Sequence, residues 1–152
     1  MASASDCAMR LLARREHGAQ ELAGKLLQKG FEAAEISALI KECQRLGLQS
    51  DVRFVDAFCR YRIRQGYGPL KISQELLTKQ IERDLIAATL EQEQANWLTH
   101  ALAVWHKKYK DQTNISFNEL QKRQRFLLYR GFSTETIAKV IAEVRGKNYH
   151  SS

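Results

Sequence analysis

The sequence has little of the material from which turn-rich folds are built. Its 152 residues include one proline, eight glycines and three cysteines. So few turn-forming residues argue against β architecture and make an all-helical chain the first expectation. The cysteines Cys7, Cys43 and Cys59 are odd in number and spaced like neither a zinc site nor a disulfide framework. They are therefore predicted to be buried thiols in a reducing compartment.

The sequence also lacks the motifs of membrane, secreted and catalytic proteins. No stretch approaches the ~18 consecutive apolar residues of a membrane span, and the N-terminus has neither the basic start nor the apolar run of a secretory signal. No phosphate loop, metal-ligand cluster or nucleophile beside a base is visible. His100 and His106, six residues apart, fall on different faces of a helix. A soluble cytoplasmic protein that is not an enzyme and holds no cofactor or metal is expected.

Positive charge is abundant and unevenly distributed. The formal net charge is +7, and Lys and Arg outnumber Asp and Glu by 10 to 4 in residues 96–152, compared with 7 to 6 in residues 1–50 and 7 to 7 in residues 51–95. Such an excess attracts polyanions, of which nucleic acid is the commonest soluble one. A solvated helical surface that only keeps the protein soluble is the alternative interpretation.

An internal repeat organises the chain. Gly30-Phe31 aligns with Gln80-Ile81 and Gly131-Phe132 at offsets of 50 and 51, which brings the flanking apolar residues into register. The aligned sets are Leu26, Leu76 and Leu127; Leu27, Leu77 and Leu128; Ile36, Ile86 and Ile137; and Ile40, Leu90 and Ile141. A period of this length is typical of repeat architectures. We therefore predict an all-α protein of three tandem three-helix repeats that form an elongated, curved molecule.

Capping signals divide each repeat into helices. Ser5 is predicted to cap a helix over about residues 6–15, Ser50 a helix in the second repeat, and Ser116 with Glu119 to form a capping box in the third. Pro69 suits the first turn of a helix, Gly30 suits a C′ position, and another helix is expected from about Glu82. The predicted domains are residues 1–49, 50–95 and 96–147, followed by a disordered tail over 148–152.

The second repeat carries a distinctive motif. It reads Asp51-Val-Arg-Phe-Val-Asp-Ala-Phe58, then Gly66-Tyr-Gly-Pro-Leu-Lys-Ile72 and Glu75-Leu76. This pattern closely resembles the RecX family, in which an Asp, Arg and Phe open a helix before a Gly-Tyr-Gly-Pro turn. Residues 10–22 resemble the family's first repeat and residues 125–133 its last, so that the resemblance covers most of residues 8–145.

The resemblance implies a non-enzymatic cytoplasmic regulator in recombination, DNA repair and the SOS response. Such a protein binds RecA nucleoprotein filaments, is expected to do so in the helical groove, and restrains recombinase and co-protease activity. Weak, sequence-independent binding to single- and double-stranded DNA, no membrane partner and a monomeric state are expected with it. Capping the filament, displacing subunits and blocking the groove are the modes of inhibition left open.

Two positions depart from the pattern. Gln80 stands where the family often has glycine, which predicts a helix stop without glycine. Arg123 aligns with the apolar Leu22 and Ile72. Either the third repeat shifts locally, or Arg123 lays its stem on the core and extends its charge outward.

Basic residues of the second and third repeats are the candidates for contact with RecA or DNA. Arg53, Arg60 and Arg64 lie at spacings of seven and four on one helical face, although Asp51 and Asp56 could balance them as an ordinary solvated surface. The further candidates are Lys71, Lys107, Lys108, Lys110, Lys122, Arg123, Arg125 and Arg130, with Tyr67 and Tyr109 as stacking residues.

A helix-turn-helix-like DNA-binding protein that acts without RecA is the alternative function. Three short helices with basic residues suggest it. Residues 134–145, which would form the recognition helix, read instead as an amphipathic packing helix with few base-reading side chains.

Overall fold

The computed structural model describes residues 2–110 and 114–150, with the side chains of 147–150 excepted. Over these residues the chain forms nine α-helices, one short 3-10 helix and no strand. The α-helices are α1 (Ala4–Arg14), α2 (Ala19–Gln28), α3 (Ala33–Arg45), α4 (Asp51–Arg64), α5 (Pro69–Thr78), α6 (Arg83–Glu91), α7 (Trp97–Tyr109), α8 (Phe117–Tyr129) and α9 (Thr134–His150), and the 3-10 helix is Gln94–Asn96. The all-α class with three helices per repeat is confirmed.

Equivalent residues of the three repeats form equivalent hydrogen bonds. The second helix of each repeat ends where an apolar residue donates its backbone N–H to the carbonyl five residues back, from Phe31 to Leu26, Ile81 to Leu76 and Phe132 to Leu127. The residue before each donor has a positive φ, which is 94° at Gly30, 60° at Gln80 and 98° at Gly131. The helix stop without glycine at Gln80 is therefore confirmed, and the three leucines are fully buried.

Local capping rules account for most helix starts. The Ser50 hydroxyl accepts the Arg53 N–H at 3.2 Å, and Pro69 is the first residue of α5, as predicted. The cap predicted at Ser5 is wrong. Ser3 caps α1, because the Ser3 hydroxyl and the Asp6 carboxylate satisfy each other's backbone N–H groups in a capping box.

The capping box predicted at Ser116 forms only in part. The Ser116 hydroxyl accepts the Glu119 N–H at 3.1 Å, but the Glu119 carboxylate accepts a bond from Arg123 instead. At the other end of the third repeat, α9 continues to residue 150. It therefore includes the first three residues of the predicted disordered tail, and residues 151 and 152 lie outside the described part.

The chain divides into two compact units. The first unit comprises Met1–Phe58 and Leu76–Ile86, and the second comprises Cys59–Glu75 and Ala87–Ser152. Residues of the second repeat thus belong to both units. In the first unit, α1 packs on α2 and α3 around Cys7, Leu22, Leu26, Ile36 and Ile40. In the second unit, α9 packs on α7 and α8, and Trp105 and Phe132 are among its fully buried side chains.

Candidate partner-binding surface

The glycine turn between α4 and α5 lies directly against the turn between α8 and α9. Gly68 donates its N–H to the Arg130 carbonyl at 2.8 Å, and Leu70 donates to the Gly131 carbonyl at 2.9 Å. A Cβ atom on Gly68 would lie 2.6 Å from the carbonyl carbon and oxygen of Gly131. Only glycine permits this approach of two backbones. The turn therefore fixes Tyr67 and Lys71 beside α8.

Cations and aromatic rings alternate from this turn onward. The Arg62 guanidinium lies 4.1 Å from the centre of the Tyr67 ring, and Arg130 lies 4.9 Å from Tyr67 and 5.2 Å from Phe126. Lys108 Nζ lies 3.6 Å from the centre of the Phe126 ring. Each such contact stabilises a cation by about 0.5 to 2 kcal/mol. We call these five residues the cation–aromatic row.

Further bonds hold two of these cations in place. Arg62 Nη2 pairs with Glu75 at 2.7 Å, and Arg130 Nη1 donates to the Gln65 carbonyl at 2.9 Å. The Tyr67 ring therefore packs between two guanidinium groups of its own chain. Of the candidates, the structure brings Tyr67, Lys108 and Arg130 into this one row.

The position of Arg123 corrects the prediction that this residue belongs to the partner-binding surface. Its side chain is only 2% exposed, so that it does not reach a partner. The alignment with buried apolar residues holds, but the charge does not extend outward. The Arg123 guanidinium lies 4.1 Å from the centre of the Tyr109 ring and 5.2 Å from Trp105, and Nε bonds to Glu119 at 3.2 Å. A carboxylate and two ring faces compensate the buried charge, which is why it stays inside.

The Tyr109 ring also makes its contacts within the chain. Its ring contacts Trp105 and Phe126 at centroid distances of 5.2 and 5.9 Å, in addition to Arg123. Burial raises the pKa of the Tyr109 phenol above its ordinary value, so that the phenol stays neutral at pH 7. Both tyrosines predicted to stack on a partner therefore hold arginines of the protein itself.

Arg53 belongs to the first unit, whereas the residues of the row belong to the second. Its Nε pairs with Glu16 at 2.9 Å and its Nη2 donates to the Gly47 carbonyl at 2.7 Å. Asp51, which would balance the stripe in the alternative interpretation, accepts the Ala19 N–H at 2.8 Å. Only the other two arginines of the predicted stripe, Arg60 and Arg64, belong to the second unit, and both are exposed.

The remaining candidates of α7, of its C-cap and of α8 are exposed. They are Lys107, Lys110, Lys122 and Arg125. Beside them, sequence reasoning missed Tyr129, whose side chain is 76% exposed and has Lys71 Nζ at 5.3 Å from its ring centre. Its spacing was the available signal. Tyr129 follows Lys122 by seven residues and Arg125 by four, which places the three on one helical face.

The charge excess coincides with the unit that contains the row. By sequence, the second unit carries 14 Lys and Arg against 7 Asp and Glu, whereas the first unit carries ten of each. The whole formal charge of +7 therefore belongs to the second unit. A concentrated field of one sign draws in anionic partners more effectively than the same charge spread evenly.

Titratable groups of the first unit serve its internal packing. His17 is fully buried, with its ring nitrogens 3.1 Å from the Arg15 carbonyl oxygen and 3.1 Å from Lys25 Nζ. Burial, with the charges of Arg15 and Lys25, lowers the pKa of His17 and keeps it neutral at pH 7. It is a structural histidine.

Three further features bear on the candidate function. Among the described residues, no group of three or more His, Cys, Asp or Glu side chains is placed to hold a metal ion. Cys7, Cys43 and Cys59 are buried as predicted, and burial raises the pKa of the Cys43 thiol. Within the same part of the chain, no helix is both long and apolar enough to cross a membrane.

Comparison with known proteins shows which family this chain resembles. Three family models match in order along the chain: the first, second and third three-helix domains of RecX, over residues 4–43, 50–90 and 97–141. The chain belongs to the RecX family. The regulatory protein RecX of Legionella pneumophila strain Corby is 56% identical over 145 residues, 95% of this chain and 97% of the relative. The regulatory protein RecX of Pseudomonas fluorescens strain SBW25 is 38% identical, covering 89% and 87%.

A solved structure shares the fold of this RecX family member. The crystal structure of RecX from Lactobacillus salivarius superposes with a TM-score of 0.76 at 20% sequence identity, covering 93% of this chain and 94% of the other. The turn at Gly68 explains the motif on which the resemblance rested, because the glycine provides the approach to the α8–α9 turn. The motif therefore has a structural role before any role in binding.

Proposed function

We propose that this RecX family member binds RecA nucleoprotein filaments in their helical groove and inhibits or remodels them without catalysing a reaction. The confinement of the whole net positive charge to the second unit carries the proposal. A nucleoprotein filament is a polyanion, and neutralising its phosphates releases counterions. Recombinase and co-protease activity are restrained through binding alone, in the cytoplasm.

The exposed lysines and arginines provide the contacts. Lys107 and Lys122 are exposed, on the two helices, α7 and α8, that contribute Lys108 and Phe126 to the cation–aromatic row. Because Tyr67 and Tyr109 already contact arginines, base stacking on these two rings contributes little and phosphate contacts dominate. Binding to DNA outside the filament is therefore weak and independent of sequence.

The exposed face of α9 does not support the helix-turn-helix alternative. Its solvent-facing residues include Glu135, Ala138, Ala142 and Glu143. Carboxylates repel the phosphates that border the major groove, and alanines read few base edges. Lys139, one of the two exposed cations among the described side chains of α9, pairs with Glu135 at 3.9 Å.

A titration of RecA-dependent ATP hydrolysis on single-stranded DNA tests the proposal. We expect inhibition at fewer than one molecule per RecA subunit, and none from an unrelated protein of equal net charge. Lys107→Glu combined with Lys122→Glu should weaken inhibition at least about tenfold, since each reversal costs a phosphate contact. The matched control is Arg10→Glu with Lys29→Glu, which changes the charge equally on exposed sites of the first unit.

Two outcomes would contradict the proposal. Equal loss of inhibition in both double variants would show that net charge, and not the second unit, matters. Absence of inhibition at concentrations where the protein binds bare DNA would favour the DNA-binding alternative. A monomer is expected throughout, and sedimentation of the free protein at the working concentration checks it.

A further inference from the structure

The first and third repeats contain the same surface groove. One groove lies between α2 and α3 in the first unit with a volume of about 600 Å³, and the other lies between α8 and α9 in the second unit with a volume of about 400 Å³. Every residue that lines the smaller groove has a counterpart 101 positions earlier in the larger one. The pairs are Gln20 and Gln121, Ala23 and Gln124, Gly24 and Arg125, Leu27 and Leu128, Ala33 and Thr134, Ile36 and Ile137, and Ser37 and Ala138.

An exposed leucine stands in each groove. Leu27 is 59% exposed and Leu128 is 49% exposed, although each directly follows a leucine that is fully buried. Ile36 and Ile137, at 4% and 6% exposure, form the floor beside them. The chain thus leaves the same apolar side chain uncovered at the same place in two repeats. Packing within the chain does not require this exposure.

Gly24 is a second, independent sign that the larger groove is kept open. It lies in the middle of α2, where glycine costs about 1 kcal/mol relative to alanine. A Cβ atom there would meet nothing within 4 Å, and its φ is not positive. Neither crowding nor backbone conformation within the protein therefore explains the glycine. The glycine leaves open space in the larger groove, at the position where the smaller groove has Arg125.

The charges around the grooves indicate what binds there. Lys41 borders the larger groove and Arg125 the smaller one, while the residues that line the two grooves include no carboxylate. Neither cation forms an ion pair with the residues that the structure describes. An occupant with an apolar side chain and a nearby carboxylate would satisfy both the exposed leucine and the cation. Glutamine side chains, Gln20 and Gln121, add hydrogen-bond donors at matching positions.

We propose that each groove binds the same acidic, amphipathic helix of a protein partner, so that the first and third repeats engage two identical subunits. Helix-in-groove recognition uses an apolar face of this kind. Duplicate grooves match a partner that presents one element repeatedly, as a filament does. The inference rests on the proposed function in naming the filament as that partner. Two linked contacts raise the overall affinity well above that of either one.

Binding of the full-length protein to RecA filaments on single-stranded DNA tests this inference. Leu27→Asp and Leu128→Asp should each weaken the affinity about tenfold, and the double variant should weaken it further than either. Leu46→Asp is the matched control, because Leu46 is 54% exposed and lines neither groove. Circular dichroism checks the fold of each variant, and Leu27→Gln with Leu128→Gln serves if an aspartate disturbs a helix.

The outcomes separate this inference from the proposed function. If the unaltered protein binds filaments and the double variant binds equally well, the groove inference is overturned and the proposed function stands. If the unaltered protein fails to bind filaments, both fail. If sedimentation shows a dimer of the unaltered protein that Leu128→Asp abolishes, the occupant is a second copy of this chain and the inference is again overturned.

Discussion

The contact between the two turns of the second unit predicts that alanine costs much more stability at one glycine than at another glycine in the equivalent position. Gly30 and Gly131 occupy the same position in the first and third repeats, with φ angles of 94° and 98°. A Cβ atom on Gly30 would meet nothing within 4 Å, whereas one on Gly131 would lie 2.6 Å from the Lys71 backbone nitrogen. Substituting each by alanine therefore separates the conformational cost from the cost of breaking the contact.

The magnitudes follow from the two environments. A residue with Cβ at a left-handed φ costs about 1 to 2 kcal/mol, and the lower entropy of the unfolded chain returns part of it. Gly30→Ala should therefore cost about 1 kcal/mol. Gly131→Ala must also displace the α5 backbone, which breaks the bonds from Gly68 and Leu70 at about 1 kcal/mol each and leaves strain behind. We expect a total cost of about 3 to 4 kcal/mol for Gly131→Ala.

Urea unfolding followed by far-ultraviolet circular dichroism measures both free energies. Tryptophan fluorescence adds a probe of the second unit, since Trp97 and Trp105 both lie there. In a thermal scan, the Gly131→Ala transition should fall by roughly 10 °C and the Gly30→Ala transition by about 3 °C. Equal costs for the two substitutions would refute the role assigned to the turn contact.

Two further substitutions test the electrostatics. Burial alone would raise the pKa of Glu21, but the Arg15 hydrogen bonds and the Lys79 charge hold that pKa at about 2. Glu21→Gln should therefore lower the free energy of unfolding by about 2 kcal/mol at pH 7. This difference should be lost as the pH falls from about 4.5 to about 2. Urea unfolding at several pH values checks this, and a constant cost would contradict it. Arg123→Leu should leave stability unchanged or raise it, because an apolar side chain avoids burying a charge. Arg123→Ala should cost about 3 kcal/mol, because it leaves a cavity. Similar melting temperatures for the two variants would contradict this.

Features set by local rules were predictable from the sequence. The repeat register follows from apolar residues aligned at offsets of 50 and 51, whereas the helix stop at Gln80 and the proline at the start of α5 depend on residues within a few positions of each other. Such features follow from hydrogen-bond geometry and sterics that act over one or two turns. The wrong cap at Ser5 shows the limit, since two serines lie two residues apart and only Ser3 has an acidic residue three positions later.

The candidate surface was less predictable because its contacts join distant parts of the chain. Arg130 meets Tyr67 from a position 63 residues away, and Arg123 depends on two aromatic residues of another helix. The sequence therefore does not distinguish a basic residue that stacks on an aromatic ring inside the protein from one that faces a partner. The exposed Leu27 and Leu128 were aligned correctly, but the sequence could not distinguish them from the buried leucines beside them.

The net positive charge and the apolar grooves are distributed differently over the two units, and we expect them to act at different stages of binding in the proposed function. The net charge belongs to one unit, whereas a groove is present in each. Exposed charges act over a screening length of about 8 Å at physiological salt, so they govern the encounter with an anionic filament. Apolar contacts act only after the surfaces touch, and they govern how long the complex lasts. Salt should therefore change mainly the association rate, and substitution of the groove leucines mainly the dissociation rate.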